Sequence, residues 1–200
     1  MDKITQQSTP ATAVLTADVK TRLGLDADFT DHDTMLDAMI AAATKTIEAF
    51  TNHQFMQRTL RFWFDTPPTK IIFWDAWPII EITACGYIDA NGITQTFNVA
   101  EMPTDLVADP PTLTLTTLPT VKPNTPNVFW VDVLAGYGAS GNDAATQRAA
   151  LPAWAVQAIH VQTAAMYENR EDKFLTVGAT QNGTLIKASE YLTVPFKRHW

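Results

Sequence analysis

A chain of 200 residues, 46% hydrophobic and 18% charged, carries enough apolar material for a sizeable core, in one large domain or two small ones. Its formal net charge of −7 argues against a general nucleic-acid binder, which needs a basic surface to displace counterions, and leaves room only for a local basic site. Cys85 is the single cysteine, so an intramolecular disulfide is excluded and a cysteine-based zinc site is disfavoured, as suits a protein made in a reducing cytoplasm.

The first residues, MDKITQQSTPATAV, lack the apolar core of a signal peptide, and residues 1–13 read as a flexible N-terminal arm. Thr16 is a candidate N-cap for a short helix that runs to Gly24. Thr30, with Asp33 three residues on, resembles a capping box for a second helix. Met35, Leu36, Met39, Ile40, Ala43, Ile47 and Phe50 then keep a helical period as far as Asn52. Ala41, Ala42 and Ala43 thin that helix where a neighbour could approach closely.

After Asn52 the period changes from helical to two. Thr59–Phe64 places Leu60, Phe62 and Phe64 on one face and Arg61 and Trp63 on the other. Further strands are expected over Lys70–Trp74, Ile79–Ile88, Ile93–Val99, around Leu113 and Leu115, and over Val128–Leu134. Asn91-Gly92 supplies the positive φ angles of a tight hairpin. The apolar run Ile71–Ile82 is broken by Asp75 and Pro78 and is too short to span a bilayer, so a soluble product is expected. A loop, Gly136–Asn142, leads back to helix at about Ala149. The most regular helical stretch is Leu151–Asp172, with Leu151, Ala155, Ala158, Ile159, Gln162 and Met166 in one stripe and Pro152 in the first turn.

The expected class is α+β. A helical core is built from both chain ends (two N-terminal helices and one long C-terminal helix), with an antiparallel β-sheet or small barrel inserted between them. The expected division is an arm at 1–13, the first half of the helical part at 14–54, a β insert at 55–135, a loop and long helix at 136–180, and a C-terminal docking tail at 181–200.

No catalytic motif accompanies these elements. Gly136-Tyr137-Gly138-Ala139-Ser140-Gly141 brings its third glycine one residue too early for a dinucleotide fingerprint and lacks the Gly-Lys-Ser/Thr of a P-loop. His32, His53, His160 and His199 are dispersed without metal-ligand spacing, and no nucleophile has a neighbouring base. Neither a cofactor nor a metal site is expected, and no enzymatic activity. The candidate interface residues are Tyr167 and Arg170, three apart on one helix face, and Pro195, Phe196, Lys197, Arg198 and Trp200, aromatic anchors beside cations on an acidic chain.

Several strings, in order, resemble the tailed-bacteriophage head–tail connector (adaptor, or head-completion) family. Leu15–Leu23 is similar to the family's "L-T-x-x-x-V-K-x-x-L", one residue shorter between Thr16 and Val19. Leu36, Ile40, Ala41, Ala42, Ala43, Ile47, Glu48, Phe50 and Thr51 resemble its alanine-rich helix. Gly136-Tyr137-Gly138, Leu151-Pro152, Ala158-Ile159 and Tyr167–Glu171 resemble its second helical region, and Pro195-Phe196-Lys197-Arg198 its final "P-(Y/F)-(K/R)-R".

The resemblance implies a virion protein, made in the host cytoplasm, that forms a homo-oligomeric ring (commonly of twelve subunits) beneath the portal ring. It would join portal to the next connector or tail-completion protein at the head–tail junction and surround the DNA channel, close to packaged DNA without specific contact and away from membranes. The alternative is another phage tail-completion protein, or a β-domain ligand-binding module using Trp63, Trp74 and Trp77.

Overall fold

The computed structural model describes residues 3–168 and 192–197. Its chain divides into two compact units. One holds Met1–Pro10 and Met56–Asn142; the other holds Ala11–Phe55 and Asp143–Trp200.

The first unit is antiparallel β structure. A five-stranded sheet has the order β1 (Lys3–Gln6), β2 (Arg58–Phe64), β8 (Phe129–Ala135), β4 (Ile79–Ile88), β5 (Thr94–Thr96). A three-stranded sheet joins β3 (Lys70–Ile72), β7 (Thr112–Thr114) and β6 (Thr104–Asp105). Both feed one core: Leu60, Phe62 and Phe64 from β2, Ile71 and Leu113 from the smaller sheet, and Phe129, Val131 and Val133 from β8. The period-two pattern of Thr59–Phe64 thus aims three residues inward, and each such burial contributes roughly 1.5–3 kcal/mol.

Strand β4 departs from simple alternation. Register shifts between Ile79 and Glu81 and between Ile82 and Ala84 make its inward residues Ile79, Ile82 and Cys85, three apart, because each bulge inserts one residue that does not pair. The β4–β5 hairpin also differs from the tight form, with positive φ at both Asn91 and Gly92, expected from the sequence. Among residues 89–93 only Gly92 has positive φ (83°), and the Gly92 N–H donates to the Asp89 carbonyl. The Asp89 carboxylate accepts from the Asn91 and Ile93 N–H groups, giving a longer turn closed by a left-handed glycine.

Part of the expected N-terminal arm is a strand. Residues 3–6 form an edge strand, with Ile4 opposite Phe62 and packed against the core, and the Gln7 N–H donating to the Thr59 carbonyl. Alternating Lys3, Ile4, Thr5 and Gln6 already carry one inward apolar residue, so a sheet edge can order a segment whose composition reads as disordered.

The second unit is helical: α1 (Thr16–Leu23), α2 (Asp33–Thr51), α3 (Ala144–Ala149) and α4 (Ala153–Glu168). Helix α2 buries Leu36, Ile40, Ala43 and Ile47 at steps of three and four; Ala41 and Ala42 are exposed, so only Ala43 of the alanine run lies on the packed face. Helix α4 is buried or half-buried nearly all round, with only Ala153, Gln157 and Glu168 exposed, as expected of an element at the centre of its unit. The stripe Leu151, Ala155, Ala158, Ile159 and Gln162 is buried, and Met166 is half-buried. The long helix expected over Leu151–Asp172 is α4 with the separate α3 before it; residues 169–172 lie outside the described residues.

The caps differ from those read in the sequence. Leu15 and His32 hold the N-cap positions of α1 and α2, neither with a side-chain cap bond. Thr16 instead donates its hydroxyl to the Asp37 carboxylate across the two helices. The C-terminal stops are as read: Gly24 (φ 68°) and Asn52 (φ 58°) are left-handed. Beyond Asn52 the buried Glu48 carboxylate accepts from the Phe55 N–H at 2.8 Å, fixing the chain as it leaves α2. Lys20, 5% exposed, lays its stem along the α1–α2 packing and reaches Asp33 at 2.5 Å.

Candidate interface surfaces

The C-terminal segment Leu192–Lys197 rests on the helical unit through aromatic groups. Val194–Phe196 is a single 3-10 turn in which Thr193 is buried while Leu192, Val194 and Phe196 stay 40%, 48% and 41% exposed. Phe196 stacks on Trp154 of α4, with ring centroids 4.6 Å apart and planes 6° from parallel. Trp154 also meets His53 at 5.4 Å and Phe55 at 5.7 Å between ring centroids. Lys197 places its ammonium 4.5 Å from the Phe50 ring centroid, a cation–π contact. The segment therefore docks on its own unit by one side and keeps an apolar row outward.

Of the residues singled out in the sequence, Pro195, Phe196 and Lys197 come together here, while Arg170, Arg198 and Trp200 lie outside the described residues. Tyr167 stands elsewhere in the unit. Its hydroxyl is 2.8 Å from His32 Nδ1, and His32 meets Phe29 edge-on at 4.8 Å, so Tyr167 ties the end of α4 to the start of α2. No sequence pattern marks Trp154, His53 and Phe50 as the platform, since each reads as ordinary core until the tail is placed on it.

The β unit presents a second surface, on the face of the five-stranded sheet turned from its core. Arg61 and Asp132 are cross-strand neighbours joined by two charge-assisted hydrogen bonds of 2.6 and 2.7 Å. The guanidinium lies 4.2 Å from the Trp130 ring and 5.2 Å from the Trp63 ring. The hydrogen bonds to Asp132 hold Arg61 even further on the charged side than usual, against the opposing effect of burial. Trp63 donates its indole N–H to Thr5 at 3.1 Å. Gly86 leaves the space into which Trp130 folds, since a β-carbon there would stand 2.5 Å from the indole.

The groups that could carry chemistry are in structural settings. Burial, with a contribution from the Asp132 charge, pushes the Cys85 thiol up to about 12, so it stays protonated and is a poor nucleophile. Burial pushes Tyr137 up to about 12. Burial and the Arg22 charge lower His160, with Asp18 opposing. The Gly136–Asn142 loop turns its carbonyls to Gln57, whose amide donates to Tyr137 and Ala139, which is the wrong polarity for cradling phosphate. Among the described residues, no group of three or more His, Cys, Asp or Glu side chains is placed to hold a metal ion, and no helix is long and apolar enough to cross a membrane.

Residues 15–73 match the family model of the Phage gp6-like head-tail connector protein. The match takes in α1, α2, β2 and β3, and the first two strings of the connector resemblance lie on its two helices; the strings after Gly136 lie beyond it. Solved structures extend the likeness in fold over nearly all of the chain. A chain in the neck of an empty GTA particle, computed with C6 symmetry, aligns with a TM-score of 0.69 and 24% identity over 94% of both chains. A chain from the virion of a native gene transfer agent particle gives 0.67 and 23% over 92% of this chain and 93% of that one. A chain in the neck of a native GTA particle, computed with C12 symmetry, gives 0.63 and 23% over 94% of both. No curated protein matches the chain.

Proposed function

We propose that this protein is a structural head–tail connector of a phage-like particle, assembled as a ring in the virion neck. The observation that carries the reading is the connector-family match over residues 15–73, continued as a common fold across 94% of a neck protein of similar length. Twelvefold and sixfold symmetry in the necks that hold similar folds supports a ring, with twelve subunits as the expected number. The chain would join capsid to tail, with the portal ring on one side, the next connector or tail-completion protein on the other, and DNA passing through the centre. A net charge of −7 suits a channel wall that DNA must slide past, because it offers phosphate little to hold.

On this reading the outward row Leu192, Val194 and Phe196, beside Lys197, is the docking tail for portal or an adjacent subunit. Removing Pro195–Trp200 should abolish co-purification with portal while the remaining chain keeps its circular dichroism and monodisperse size. Unchanged portal binding together with unchanged ring assembly would overturn the docking role. Cryo-electron microscopy of particles carrying a tagged chain should place the tag at the neck; a tag found elsewhere in the virion would overturn the connector reading.

A further inference from the structure

The outer face of the five-stranded sheet holds a groove of about 480 Å³ lined by Lys3, Thr5, Gln7, Trp63, Ile88 and Asn127. Trp63 is held in place by its bond to Thr5, so the groove has a rigid aromatic wall. Arg61 is already matched by Asp132, and the exposed Lys3 supplies the positive charge at the rim. The β6–β7 loop belongs to the three-stranded sheet, which feeds the same core but is separate from the sheet that bears the groove. At its tip Val107 is 92% exposed, and the Asp105 carboxylate braces the loop by accepting from the Ala108 N–H at 2.9 Å. Asp105 and Asp109 bracket the valine in sequence. The tip is thus apolar with acidic flanks, and the groove is aromatic with a basic rim.

We infer that the Val107 tip of one copy seats in the Trp63 groove of the next. Two different, complementary surfaces of one unit make a head-to-tail contact, which closes into a ring when the rotation between copies divides a full turn. A self-complementary patch would give a twofold dimer instead. The acidic flanks against Lys3 set the register, and burial of Val107 with part of the indole supplies the apolar contact. This inference rests on the ring reading and adds which surfaces meet.

The test uses the full-length chain assembled on portal-bearing heads, with Gln7→Cys and Val107→Cys in the same molecule and the buried Cys85 left in place. Mild oxidation should give a ladder of disulfide-linked multimers on non-reducing gels. A Gln7→Cys, Ile93→Cys chain, with the second thiol at another exposed apolar position, should give none. A ring visible in micrographs with no ladder above that control would overturn the docking and leave the ring reading standing. Absence of any ring would overturn both. Val107→Asp should lower ring occupancy at least tenfold without shifting the unfolding midpoint, since the side chain touches little of its own fold; unchanged occupancy counts against the proposal.

Discussion

At the residue scale, Arg61 and Asp132 carry the strongest polar contact on the outer sheet face, half-shielded by two indoles. Asp132→Ala leaves the guanidinium between Trp63 and Trp130 without its carboxylate and should cost about 1–3 kcal/mol in urea unfolding, below the range for fully buried pairs because Arg61 keeps 26% side-chain exposure. Replacing both, Arg61→Met with Asp132→Leu, should cost less than Asp132→Ala alone, since no unpaired charge remains. His160 gives a pH-dependent prediction. Its folded-state pKa lies below the ordinary value, so from about pH 6.5 downward the unfolded chain takes up the proton first. Stability should therefore fall as pH drops through that window, and the fall should be shallower in His160→Gln; parallel midpoint-versus-pH curves for the two proteins would contradict it.

Elements show where local pattern was enough and where it was not. The apolar spacing of α2 was legible because a 3.6-residue period reports one buried face directly, and Leu36, Ile40 and Ile47 are at most 1% exposed. Ile40→Ala should destabilise by about 2–5 kcal/mol, the usual range for a closed site that cannot collapse, as read from thermal or denaturant unfolding. The glycine loop after β8 was legible as a special backbone, and its reason is now specific. Gly136 sits at φ 136° with the Gln57 backbone 2.7 Å from where a β-carbon would be, so Gly136→Ala combines strain with a clash against main chain. It should cost more than about 1 kcal/mol, measured as a lower unfolding midpoint. The N-caps were misread because Thr16 and Thr30 have the right chemistry but not the right backbone position; a hydroxyl that finds Asp37 across a helix pair does not cap its own helix. Strand β1 was missed because four residues carry too short a pattern to separate an edge strand from a polar arm.

For the whole molecule, the two units differ in what holds them. The β unit closes one core between two sheets, while the helical unit collects α1 and α2 with α3 and α4 from the other side of an insert of more than eighty residues. The C-terminal segment adds little of its own to stability on this view. Phe196→Ala removes one stacked ring pair at a surface already 41% exposed, so it should lower stability by only about 0.5–1.5 kcal/mol. On the proposed connector reading, the same substitution should reduce portal co-purification far more than that small loss of fold can explain; an equal, small effect on both measurements would make Phe196 a packing residue only.

Residue pattern along the chain was enough for the main helices and most strands in their order, though not for β1, β6 or the separate α3, because helical and strand periods are local properties of which side chains must leave water. It also carried the connector resemblance, since ordered strings at fixed distances survive where single motifs do not. Tertiary structure alone decided which candidate residues meet. Phe196 found Trp154, Tyr167 found His32, and Arg61 found Asp132 across separations of 42, 135 and 71 residues. No local pattern encodes such pairings: each partner is chosen by the packing of elements that are remote along the chain, and the apolar tip at Val107 and the groove at Trp63 become complementary surfaces only once the two sheets have closed their core.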